Sequence, residues 1–195
     1  MKQTIEWRIF CGFELPAELR ARLEEHIRGL REAVGDARAT WSRPENSHLT
    51  IKFFGNVAVD RLPQISEATE LAARQFSPLP IEIAKPGVFP NVNRARVLWI
   101  GVNDPSGQLA MLHETFEEQC ELRGFPREDR AYRPHLTIAR IRIPEGARHL
   151  AELHVQAEFK PCHITLDELV AFRSEPGRQG SKYTAISRHR LLQST

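Results

Sequence analysis

The chain has 195 residues, of which 41% are hydrophobic and 27% charged, with a formal net charge of +2. This is ordinary globular composition, enough for one large domain or two small lobes with a core that needs no staples. The near-balanced charge excludes a global basic field for long nucleic acid, so any anion site must come from a local cluster.

Three cysteines, Cys11, Cys120 and Cys162, form neither a zinc pattern nor a disulfide framework. That usage predicts a reducing, cytoplasmic setting. The first residues lack the apolar core of a signal peptide, and no apolar run is long enough to span a bilayer. No membrane partner is expected.

In chain order, "TIEWRIFCGF" alternates, with Ile5, Trp7, Ile9, Cys11 and Phe13 on one face and Arg8 and Phe10 on the other. That is a half-buried strand. Pro16 opens a helix with Leu19, Leu23, Ile27, Leu30 and Val34 as its stripe, and Gly35 ends it. "HLTIKFFG" reads as a second strand. Asp60 is placed to cap a helix carrying Leu62, Ile65, Ala68 and Ala72. "PIEIA" and "RVLWIGV" are two more strands. Asp104-Pro105 then opens a helix with Leu109, Leu112, Phe116 and Cys120, stopped at Gly124. "HLTIARIRI", the alternating "ELHVQAEF", "CHITLDELVAF" and "KYTAIS" read as the remaining strands. The stretch from Glu175 to Ser181 reads as a loop. Strands and helices mix without strict βαβ alternation, which predicts an α+β fold with antiparallel pairing.

The tetrad His-Leu-Thr-Ile occurs twice, at His48 to Ile51 and at His135 to Ile138. Side chains alternate along a strand, so His48 and Thr50 share one face, and His135 and Thr137 likewise. The leucines and isoleucines face a core. A histidine exchanges a proton near neutral pH, and a threonine beside it offers a hydroxyl to a phosphate oxygen. Two such pairs facing each other supply a base, an acid and two hydroxyl clamps. In-line displacement at phosphorus needs that set, without metal. The competing readings are structural histidines and a metal site. A metal site needs a third ligand, and none of the other six histidines sits at a recognisable ligand spacing. His26 and His113 fall within predicted helices, as surface or boundary residues. His154 lies on the polar parity of its predicted strand.

The ordered pieces "RIFCGFELP", "HLTIKFFG", "RVLWIGV", "RPHLTIAR" and "GSKYTAI" resemble the two-histidine phosphoesterase superfamily over nearly the whole chain. The closer likeness is to its bacterial and archaeal RNA 2',3'-cyclic phosphodiesterases, also called 2'-5' RNA ligases. The resemblance implies one two-lobed domain over residues 1–195, with an antiparallel sheet and flanking helices in each lobe and the site in the cleft between them. It implies His48 and His135 as the catalytic pair, with His48 the acid and His135 the base. Thr50, Thr137 and Arg140 would hold the phosphate, and Phe10 and Phe53 would contact the nucleotide. The expected substrate is an RNA end or nucleotide carrying a 2',3'-cyclic phosphate, opened to a 2'-phosphomonoester without cofactor or metal. The same pair would run a weak, ATP-independent 2'-5' ligation in reverse, and the protein would act as a monomer. The rivals are a relative acting on another cyclic phosphate or a 2'-5' linkage, and a binding module without catalysis.

Parity raises a difficulty. Arg140 and Phe53 are odd-spaced from their histidines, so a regular strand would bury both, and a buried unpaired arginine is costly. Either the strand ends or twists there, or a bulge re-aims the side chain. For Phe53 a core role competes with stacking. Phe10, beside Arg8, suits a base-stacking platform or packing against the other lobe. Arg130 and Arg133, upstream of His135, read as a solvated turn.

Overall fold

The computed structural model of the chain describes residues 5–35, 39–143, 147–177 and 181–192. Its elements are β1 (Glu6–Glu14), α1 (Ala17–Val34), β2 (Ala39–Trp41), β3 (His48–Ala58), α2 (Leu62–Ala73), β4 (Leu79–Phe89), β5 (Val97–Asn103), α3 (Gln108–Glu121), β6 (His135–Ile141), α4 (Arg148–Gln156), β7 (Cys162–Leu166), β8 (Glu168–Glu175) and β9 (Lys182–Arg190). They build two sheets, in the orders β3-β1-β8-β9 and β2-β6-β5-β4-β7. Every neighbouring pair is antiparallel. The fold is α+β with two lobes, and each HLTI strand belongs to a different sheet. Among the described residues, no helix is long and apolar enough to cross a membrane.

The apolar stripe of α1 is buried at Leu19, Leu23, Ile27 and Leu30. Each such leucine contributes about 2 kcal/mol by leaving water. The helices are exchanged between the lobes. α3, from the second half of the sequence, packs on α2 and β3, while α1, from the first half, packs on α4. The two sheets therefore share one continuous core.

Several sequence expectations change. Ile5 precedes β1 and is 67% exposed rather than buried. Asp60 makes no side-chain cap; a 3-10 turn over Val59–Arg61 leads into α2 instead. α3 starts at Gln108, after Pro105, and the Asp104 carboxylate accepts from the Leu109 amide at 2.8 Å. "CHITLDELVAF" is not one strand. It splits at Asp167 into β7 and β8, which lie in different sheets. The residues 178–180 of the Glu175 to Ser181 loop, and Gly180 of "GSKYTAI", lie outside the described residues.

"ELHVQAEF" is the clearest reversal. Its first five residues belong to α4, which buries Leu150, Ala151 and His154 at helical spacing. The alternation in so short a segment fits both periods, and packing on β4 and α1 selects the helix. His154 is fully buried. Its Nε2 faces two carbonyl oxygens, of Trp99 at 3.0 Å and Gly87 at 3.1 Å. Carbonyls only accept, so Nε2 carries the proton and Nδ1 accepts from His26 Nε2 at 3.1 Å.

Burial pushes the His154 imidazole down to about 4, although its carbonyl partners pull the other way. An unfolded histidine titrates near 6.5. Between these values the unfolded chain binds more protons, so stability is lost as pH falls through that window. At about 1.4 kcal/mol per unit, His154 should cost about 2 kcal/mol between pH 6.5 and 5. Urea unfolding at both pH values should show the loss, and His154→Gln should flatten the slope by that share. An unchanged slope in the variant would contradict the assignment.

Candidate active site

β3 begins at His48 and pairs with β1; β6 begins at His135 and pairs with β5. In each lobe the HLTI leucine and isoleucine are buried, at Leu49, Ile51, Leu136 and Ile138, while the histidine and threonine are half-buried. The predicted alternation is present in both copies.

The parity difficulty has one structural answer, used twice. Cys11 pairs with Lys52, but Gly12 pairs with Thr50, so Ile51 is the extra residue of a β-bulge. In β6, Leu98 pairs with Ala139 and Trp99 with Thr137, so Ile138 is bulged at the matching place. A bulge inverts the facing of everything after it. Phe53 therefore joins the His48 and Thr50 face and is 46% exposed, while Lys52 turns into the core. Arg140 joins the His135 and Thr137 face and is exposed. Among the described residues Arg140 makes no ion pair.

The two histidines are held identically. His48 Nδ1 lies 2.7 Å from the Asn46 carbonyl oxygen, and His135 Nδ1 lies 2.7 Å from that of Arg133. Each acceptor sits two residues upstream. Both Nδ1 atoms must carry the proton, which leaves both Nε2 atoms for chemistry. Asn46 is itself pinned, donating to the Ser181 carbonyl at 2.6 Å. The histidines also share one electrostatic environment. Burial lowers both pKa values below the usual histidine range; the Arg140 cation lowers both further, and His135 lowers His48.

Phe10 does not offer the open stacking platform that its parity suggested. It is on the cleft side, but its ring is only 2% exposed. It stacks on Phe172 at 4.9 Å and lies 4.5 Å from the His48 ring. Tyr183 closes over it edge-on. Phe10 thus braces His48 from behind, and Phe53, 5.7 Å away, is the exposed ring of that group. Gly12 is required here, since a Cβ would run into the Leu49 backbone beside Thr50. Arg130 and Arg133 are exposed, as a solvated turn should be.

Sequence reasoning missed a buried ionic anchor behind the site. Lys52 Nζ donates to both Glu117 oxygens, at 2.8 and 2.7 Å, and to the Pro126 carbonyl at 2.9 Å. His113, expected at the surface or its boundary, is buried and stacks on Tyr132 at 4.1 Å. Tyr132 Oη donates a long bond, 3.4 Å, to the Thr50 carbonyl. The segment leading into His135 is therefore tied to β3 and α3. His113, Glu117 and Glu128 bring ligand atoms within 4.8 Å of one another, the one such group among the described residues. The Lys52 ammonium already neutralises its most buried carboxylate, so the cluster is an ion-pair anchor. The i, i+4 spacing of His113 and Glu117 was the available signal.

The two polar pairs, one per lobe, thus carry matching bulges and matching imidazole tethers, and the Arg140 cation acts on both imidazoles. The family model of the 2'-5' RNA ligase superfamily matches residues 16–178. The chain belongs to the 2'-5' RNA ligase superfamily. It is 32% identical to the RNA 2',3'-cyclic phosphodiesterase of Methanothermobacter thermautotrophicus over 91% of this chain and 97% of that protein. It is 27% identical to the Thermotoga maritima protein of the same name, over 92% of each chain. Among solved structures, TT0787 of Thermus thermophilus superposes with a TM-score of 0.76 at 24% identity, covering 94% of this chain and 97% of that one. Escherichia coli LigT complexed with 3'-AMP gives 0.73 at 23% identity, covering 97% and 100%. These structural likenesses carry the fold.

Proposed function

We propose that the chain is an RNA 2',3'-cyclic phosphodiesterase that opens a terminal cyclic phosphate to a 2'-phosphomonoester. The observation that supports this reading is the identical Nδ1 tether of His48 and His135, which leaves both Nε2 atoms free within the field of one cation, Arg140. His135, neutral, takes the proton of the attacking water. His48, protonated, gives its proton to the departing 3' oxygen. Thr50, Thr137 and Arg140 meet the charge that grows on the non-bridging oxygens. Phe53 stacks on the nucleotide base, with Phe10 supporting from behind.

Microscopic reversibility lets a 5'-hydroxyl replace water, which makes a 2'-5' link without ATP. The relatives named RNA 2',3'-cyclic phosphodiesterase support the substrate class. Both histidines come from one chain, so a monomer suffices. The buried free thiols of Cys11 and Cys120 suit a reducing cytoplasm.

The test is an RNA ending in a 2',3'-cyclic phosphate, with the product identified as the 2'- or 3'-monoester and kcat/KM followed across pH. One acid and one base give a bell centred midway between their two pKa values. Both lie below the usual histidine value, so the optimum should fall below about 6.5. Arg140→Gln removes a cation that disfavours both imidazolium forms, so the bell should move to higher pH. Its height should drop about 100-fold for the lost anion contact. A 3'-monoester product, or a bell unmoved in the variant, would count against the assignment.

A further inference from the structure

The central three strands of the two lobes match one for one, and the match singles out an aromatic surface beside His135. β1 pairs with β3 as β5 pairs with β6, and the third strands are β8 and β4. Phe172 of β8 lies opposite Phe10, which lies opposite Phe53. At the matching places, Phe89 of β4 lies opposite Val97, which lies opposite Arg140. Each histidine thus has a phenylalanine from the third strand beside it. In the first lobe that wall is sealed, since Phe172 is 5% exposed under Phe10.

The second wall is only partly covered. Trp99 pairs with Thr137 and Phe89 faces the same side, and both rings are half-buried. The Phe89 ring stands edge-on to His135 at 5.1 Å, and Trp99 lies 5.0 Å from Phe89 and 6.4 Å from His135. Two glycines clear the space. A Cβ on Gly87 would run into the Trp99 indole, and Gly101 opposite His135 puts no side chain against the imidazole. The result is a part-exposed aromatic surface beside His135, flanked by Arg140.

We propose that Phe89 and Trp99 bind the nucleoside that carries the 5'-hydroxyl, so that one nucleoside lies on each side of the phosphorus. This rests on the function proposed above and assigns residues to the second nucleoside that its 2'-5' joining direction requires. In the joining direction the 5' oxygen attacks phosphorus while His135 Nε2 takes its proton. The P–O3' bond breaks, and His48 returns a proton to the 3' oxygen. In the cleaving direction the 3'-hydroxyl attacks the 2'-5' diester, and the products are the 2',3'-cyclic phosphate and a free 5'-hydroxyl. Stacking on an aromatic face tolerates any base, so the site selects for a nucleoside rather than a particular one.

The experiment compares two substrates, a nucleoside 2',3'-cyclic monophosphate and a 2'-5'-linked dinucleoside monophosphate. The enzymes are wild type, Phe89→Leu and Phe89→Tyr. Leucine keeps the apolar volume but loses the planar face; tyrosine keeps the face. The ratio of kcat/KM for the dinucleotide to that for the cyclic mononucleotide should fall about 10-fold in Phe89→Leu, through KM, and recover in Phe89→Tyr. Equal losses on both substrates would make Phe89 a brace for His135 and overturn the proposal, as would a wild type inert on the dinucleotide. A wild type inert on the cyclic mononucleotide would instead overturn the function on which the proposal rests.

Discussion

His48→Ala and His135→Ala should each lower kcat on an RNA ending in a 2',3'-cyclic phosphate by about 100- to 10,000-fold, the range for losing a positioned acid or base. The double variant should be little worse than the poorer single one, because the two residues act in one concerted transfer and their losses do not add. The physical basis is the pair of 2.7 Å tethers to Asn46 and Arg133, which hold the proton on Nδ1 and leave each Nε2 free for proton transfer. Alanine leaves Thr50, Thr137 and Arg140 in place, so binding should persist while turnover fails. The measurement is single-turnover hydrolysis with a chelator present throughout. Wild-type rates in either variant, or activity abolished by the chelator, would sink the two-histidine mechanism.

Lys52→Met should destabilise the protein by about 3–5 kcal/mol, a large share of a typical domain's stability. The lysine is 2% exposed, and all three hydrogen bonds of its ammonium are made inside the protein. Methionine would fill the stem's volume but leave the Glu117 carboxylate buried without its cation. Lys52→Met with Glu117→Leu should recover much of the loss, since an apolar pair of similar volume is often no less stable than a buried ion pair. Urea unfolding of the two singles and the double closes the cycle. A Lys52→Met variant within about 1 kcal/mol of wild type would show that Glu117 finds another partner or a proton. The Pro126 anchor would go with the lysine, so the approach to His135 should loosen and activity should fall alongside stability.

The apolar periods of α1 and β3 were legible because each rests on residues three, four or two apart. The exposed side of both His-x-Thr pairs followed from the same arithmetic. Arg140, Phe53 and Lys52 were not legible in that way. Their facing depends on bulges at Ile51 and Ile138, which exist only in the register against β1 and β5. His154 was read on a strand because so short a segment fits two periods, and only the carbonyls of Gly87 and Trp99 and the ring of His26 distinguish them.

The sequence by itself determined the α+β class, the two histidines, their threonines and the family. These are encoded in local alternation and in short ordered motifs. Tertiary structure alone decided the rest: the exchange of helices between lobes, the sealing of Phe10, the burial of Lys52 against Glu117, and the part-exposed Phe89–Trp99 wall. Each of these joins residues far apart in the chain, through pairing registers and packing that no single stretch of sequence contains.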